Sequence, residues 1–288
     1  MAAASGSAAH APWRSAFQAH ISKMPSAEFV LSTVARDERG RYVPRARYCG
    51  FRGFFGERLP LHQEAERQLK EQEQQRNGDG DGDALNPPVF ESDMLALTTD
   101  VRMDKVGQLV SSGGAVEAVF WAKEVMNQWR IRGRAFVIGG SPEEKEEREA
   151  REEVRRGMRM RDAGGAADVE RGEWSWEREI TTYFANHTPV LRGSFKYPPP
   201  GRPKSEVPED PGLKMGEDVY DLHDPVARKN FRVVVIRPEE VERLDLSEYG
   251  NPKRWKWVFA DADEVGDKGT VVKEDGERGR WQEVELWP

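Results

Sequence analysis

The chain has 288 residues, a net charge of -7, 33% charged side chains and a mean hydropathy of -0.78. That length can bury a core as one domain with insertions or as two small domains, and the acidic balance gives no overall drive toward nucleic acid or an anionic membrane surface. Cys49 is the single cysteine, which excludes an intramolecular disulfide and a thiolate-based zinc cluster.

The first eleven residues, MAAASGSAAHA, have no cationic start and no long apolar run. They are expected to be disordered rather than a secretory signal. No eighteen apolar residues occur in succession, so no membrane span is expected and a cytoplasmic location is the default. Residues 12–24 place Trp13, Phe17 and Ile21 at a spacing of four, which predicts a short amphipathic helix with Pro12 near its start.

Residues 29–34 (FVLSTV) and 40–54 read as two strands of a hairpin turning at 36–40. The second strand carries RARYCGFRGF, too basic at alternate positions for an ordinary core strand. In an unbroken strand Arg47, Cys49 and Phe51 would share one face, with Tyr48, Gly50 and Arg52 on the other. Gly50 and Gly53 permit a bulge that changes this. The segment reads either as an edge strand with solvated arginines or as an anion site.

Residues 62–76 (HQEAERQLKEQEQQR) lack a wide apolar stripe and predict a solvated helix, followed by an acidic NGDGDGD loop. That run lacks the glutamate and flanking helices of a calcium loop. Residues 94–99 (MLALTT) predict a strand running into a helix through Val101, Val106 and Leu109. Thr98, Thr99, Arg102 and Lys105 then read either as an anion-binding turn at a helix N-terminus or as a capped strand-to-helix junction with solvated charges. Residues 115–121 and 127–138 (NQWRIRGRAFVI) predict a second strand pair with Gln128 near its start.

A second charged insertion at 141–172 predicts an exposed helix, because its Glu and Arg spacings of three and four suit intrahelical pairing. Trp176, Ile180 and Tyr183 or Phe184 mark an amphipathic helix, and a proline-rich loop follows at about 197–230. Residues 231–236 (FRVVVI) and 281–288 predict the last strands. Five scattered histidines show no metal-ligand spacing, and no Ser-His-Asp constellation is evident.

RYCGFR, then LTTDVRMDK, then NQWRIRG, in that order, resembles the pyridoxamine 5'-phosphate oxidase family, and more closely its divergent FMN-binding branch. The resemblance implies a mainly β (α+β) fold, an antiparallel split β-barrel with peripheral helices. It further implies one domain over 12–288, with insertions at about 60–88 and 141–172. It implies an FMN cofactor, a homodimer with flavin at the subunit interface, and a small-molecule substrate. By the same resemblance the cofactor residues would be Arg47, Tyr48, Cys49, Phe51, Arg52, Thr98, Thr99, Arg102, Lys105 and Gln128. Arg47 and Lys105 would hold the phosphate, Arg52 would sit near flavin and substrate, and Gln128 would bond the isoalloxazine edge. Phe51, Phe54 and Trp129 are candidates for the apolar wall of the ring system or for core. Met103 and Asp104 stand where the family has Ser and Arg, and Arg102 is a candidate substitute for one lost phosphate ligand. Arg254 matches a substrate arginine, while Lys256 replaces a histidine, so pyridoxamine phosphate itself is unsupported as substrate.

Overall fold

The computed structural model describes residues 10–75, 85–161, 174–260, 272–274 and 280–288. The expected N-terminal disorder up to residue 9, the acidic loop at 76–84 and the AGGAAD stretch of the second insertion lie outside these residues. No described helix is long and apolar enough to cross a membrane.

The elements run α1 (Arg14–Ile21), β1 (Glu28–Arg36), β2 (Tyr42–Gly50), β3 (Gly53–Phe54), α2 (Gln63–Gln75), β4 (Phe90–Glu91), β5 (Leu95–Asp100) and α3 (Asp104–Ser111). They continue with β6 (Ala115–Ala122), β7 (Asn127–Ile138), α4 (Lys145–Arg156), β8 (Arg159–Met160), α5 (Trp176–Ala185), α6 (Pro189–Gly193) and α7 (Pro225–Asn230). The chain ends in β9 (Phe231–Asp245), β10 (Lys253–Ala260), β11 (Val272–Glu274) and β12 (Arg280–Leu286).

The described strands form one antiparallel sheet in the order β11-β12-β10-β9-β7-β6-β1-β2, with β5 added to β9 and β3 to β5, beside a separate β4-β8 pair. Helices cover parts of it, so the fold is α+β with a mostly antiparallel sheet. β9 organises the whole. Along Phe231–Ile236 it pairs with β5, and along Glu240–Asp245 with β10, while β7 follows its other edge throughout. The expected strand at 231–236 is therefore only its first half. Pro238 is accommodated at a register shift opposite Gly133, where a proline need not donate to the ladder.

Two cores lie on the two faces of the β5-β9-β7 region. In one, Trp13, Phe17 and Ile21 of α1 pack on Phe29, Leu31, Phe120, Trp129 and Ile131, as the spacing of four predicts. Each fully buried side chain of this size contributes about 1.5–3 kcal/mol. Trp129, Phe54 and Phe51 belong to this packing: Phe17 meets the rings of Phe51, Phe54 and Trp129 edge-on. Trp129 and Phe54 are buried core side chains, not an open ring wall.

The other core gathers α2, α4 and α5 against Ala96, Phe136, Val233 and Val235. Here two expectations are corrected. α2 is not merely solvated, because Ala65 and Leu69, four apart, are buried. α4 is not merely exposed, because Val154 is buried and Glu147 accepts hydrogen bonds from the Gly139 and Gly140 N–H groups. A narrow two-residue stripe suffices when a helix has a preformed face to lie on.

Candidate functional site

β2 ends at Gly50, and the chain then leaves β1 for β5. The Phe51 N–H donates to the Ala27 carbonyl, the Arg52 N–H to the Ala96 carbonyl, and Gly53 turns at φ 129° into β3. Only glycine adopts that φ without strain. The break separates Arg52 from Arg45 and Arg47 and gives it different surroundings.

Arg47 lies opposite Leu31 and donates from Nη1 to the Thr33 hydroxyl at 2.7 Å and the Leu31 carbonyl at 3.2 Å, and from Nη2 to Gln108 Oε1 at 2.7 Å. The Thr33 hydroxyl also donates to Gln108 Oε1, at 2.6 Å. Lys105, in the first turn of α3, donates to the Thr99 hydroxyl at 2.8 Å and faces the Met103 sulfur. Burial pulls both cations below their ordinary pKa; repulsion from Arg45 lowers Arg47 further and repulsion from Arg47 lowers Lys105 further, against the weaker pull of Asp104 and Asp100 respectively. The Cys49 thiol beside them is pushed up by burial, against the pull of Lys105 and Arg47. Among the described hydrogen-bond partners of Arg47 and Lys105 none is a carboxylate. Two desolvated cations whose partners are all neutral fit a bound anion such as a phosphate.

The other basic candidates differ. Arg102, the candidate substitute for a lost phosphate ligand, is held bidentately by Asp100, at 2.9 Å and 2.6 Å. Arg254 donates to Glu242 from Nε at 3.1 Å, and Lys256 pairs with Glu240 at 2.7 Å, so both are engaged on the outward sheet face.

Thr98 and Thr99 face opposite ways along β5. Thr99 meets Lys105, while the Thr98 hydroxyl lies 2.9 Å from His187 Nε2. Arg52 reaches the same cluster, with Nη2 3.1 Å from His187 Nε2 and Nη1 3.2 Å from Asn186 Oδ1. Its Nε is buried and unpartnered. His187 Nδ1–H donates to the Tyr183 carbonyl at 2.9 Å, leaving Nε2 as the acceptor for Arg52 and Thr98. Burial first, and Arg52 second, hold the His187 pKa down at about 3, so the ring is neutral. No cluster of metal-binding side chains occurs among the described residues.

His187 has a consequence for stability. Its folded pKa is depressed below the ordinary 6.5, so its stabilising contribution is full above that value and is lost as pH falls toward 3. The unfolding free energy of the wild type relative to His187→Gln is expected to fall by about 1.4 kcal/mol per pH unit across that window, measured by urea unfolding at several pH values. A pH-independent difference refutes it.

Gln128 and Tyr48 stand apart from both clusters. Gln128 lies beside Trp121 and Leu244, and Tyr48 beside Val30, on the sheet face opposite Trp129 and Leu31. Tyr48 is 78% exposed and Trp121 40%. Phe51 offers its backbone and a core ring. Thr33, Gln108, Asn186 and His187 are the site neighbours that sequence reading did not assign; Gln108, one helical turn after Lys105, was the one with a usable signal.

The structure is an α+β protein with two desolvated cations, Arg47 and Lys105, at the edge of an antiparallel sheet. Residues 10–139 match the family described as pyridoxamine 5'-phosphate oxidase, FMN-binding domain. Among solved structures, the chain is similar to a pyridoxamine 5'-phosphate oxidase-related, FMN-binding protein from Nostoc punctiforme PCC 73102. The two are 16% identical over 97% of this chain and 100% of that one, with a TM-score of 0.53. It is also similar to PhzG from Burkholderia lata 383, solved with tetrahydrophenazine-1-carboxylic acid, at 13% identity over 96% of this chain and 89% of that one, with a TM-score of 0.42. No curated protein matches the sequence.

Proposed function

We propose that the chain is an FMN-dependent oxidoreductase acting as a homodimer on a small molecule, with the flavin phosphate between Arg47 and Lys105. The observation that carries this reading is the pair of cations, Lys105 buried and Arg47 half-buried, whose hydrogen-bond partners among the described residues are all neutral. A phosphate monoester brings nearly two negative charges, and each charge-assisted bond contributes about 1.5–3 kcal/mol. Thr99 would donate its hydroxyl to the same group, and Gln108 and Thr33 would keep the Arg47 fork in place. When bound, the flavin supplies a two-electron acceptor.

Arg52 is the residue assigned to the substrate side. Its guanidinium is half-buried, lowered in pKa by burial and without a carboxylate partner among the described residues, and neutral His187 holds it without competing for an anion. Arg254 and Lys256 would contribute only after release from Glu242 and Glu240. The branching of the sheet at β9 supports a split barrel. Tyr48, Trp121, Val30 and Val119 form an uncovered stripe beside Gln128 on the outward face, which supports docking of a second copy. In such a dimer the amide of Gln128 would serve the flavin of the other copy.

Purified protein is expected to be yellow, to elute as a dimer, to release FMN on heating and to be reduced by a nicotinamide and reoxidised by oxygen. Colourless protein that fails to take up FMN overturns the phosphate assignment. Flavin that binds and is never reduced by any donor leaves a flavin-binding protein without turnover.

A further inference from the structure

Met103 lies across the two groups assigned to the phosphate. Its Sδ is 2.8 Å from Lys105 Nζ and 3.7 Å from Thr99 Oγ1, and the side chain remains 37% exposed. The backbone around it is held, since the Met103 N–H donates to the Asp100 carbonyl and the Met103 carbonyl accepts from Val106. The side chain is held only by its sulfur, a weak acceptor on a flexible stem.

We propose that Met103 is an oxidation site, at which a peroxide converts the thioether to a sulfoxide that keeps FMN out. A sulfur lone pair attacks one peroxide oxygen, the O–O bond breaks and an S–O bond forms. The proton of the transferred oxygen passes to the leaving oxygen, which departs from hydrogen peroxide as water. Sulfur is oxidised by two electrons and the peroxide is reduced. The sulfoxide oxygen is a strong acceptor within reach of the same ammonium and hydroxyl. A weakly held side chain thereby becomes a bound competitor.

The inference rests on the assignment of the phosphate to Arg47 and Lys105. Met126, Met160 and Met215 are exposed to a similar or greater degree and will oxidise too, so Met103→Leu, close in volume and inert to peroxide, is the reference. Flavin-free protein is treated with hydrogen peroxide, one added oxygen on the Met103 peptide is verified by mass, and FMN and riboflavin are titrated by flavin fluorescence. Oxidation is expected to weaken FMN at least about tenfold in the wild type, with little change between treated and untreated Met103→Leu. Riboflavin, which lacks the phosphate, is expected to bind treated and untreated wild type alike. Unchanged FMN affinity with Met103 fully oxidised, or equal loss in both proteins, overturns the inference. Lys105→Ala separates the two levels. If it leaves FMN affinity intact, the phosphate assignment fails; if it weakens FMN while oxidation does not, only the role of Met103 fails.

Discussion

Replacing Arg47 and Lys105 together with alanine is expected to give a folded protein that no longer retains FMN. Two charge-assisted bonds at about 1.5–3 kcal/mol each correspond to a loss of at least about a hundredfold in affinity. Among the described residues neither cation has a hydrogen-bonded carboxylate to strand, since their partners are Thr33, Gln108, Thr99, the Met103 sulfur and backbone carbonyls. The melting temperature without cofactor is therefore expected to hold or rise, because two desolvated charges are removed. Riboflavin affinity separates the phosphate from the ring. A double variant that purifies with one FMN per chain rules out the assignment.

Gly133→Ala is expected to be the most damaging single methyl in the sheet. A Cβ there would sit 2.0 Å from the Arg237 carbonyl oxygen, 2.9 Å from its carbon and 3.1 Å from the Pro238 Cα, all backbone atoms. These belong to the register shift between β7 and β9, the longest strand pairing of the sheet. The destabilisation is expected to reach or pass the ~3 kcal/mol upper end of ordinary overpacking, read by urea unfolding or by loss of soluble protein. Gly107→Ala is the contrast: an added Cβ there meets nothing within 4 Å. In the interior of α3 it is expected to stabilise by up to about 1 kcal/mol. Equal stability of Gly133→Ala and the wild type would contradict the bulge.

The strands that alternate cleanly were legible from residues alone. β6 and β7 fall where 115–121 and 127–138 were expected, because one face of each is apolar and turns bound both. β9 was half legible. Its second half, PEEVERLD, reads as loop because of Pro238 and its carboxylates, yet Glu240 and Glu242 are paired across strands with Lys256 and Arg254. The same pairing explains the site. Sequence shows where cations are and not what neutralises them, so Arg102, Arg254 and Lys256 looked equivalent to Arg47 and Lys105. Only the positions of Asp100, Glu242 and Glu240 in space tell them apart. Arg52 was separated from Arg47 by a chain crossover that two glycines permit and no local rule requires. Neutral supports such as Thr33 and Gln108 carry no charge signature, and the fold alone brings them to Arg47.

β7 and β9 are hydrogen-bonded on both edges, whereas β2, which carries Arg47, borders only β1 among the described strands. In amide deuterium exchange the central pair should open only with the whole molecule, while β2 should exchange through local fraying. A ligand gripped by that border strand can thus leave without melting the interior. Its arrival should be visible as slowed exchange confined to the margin of the sheet.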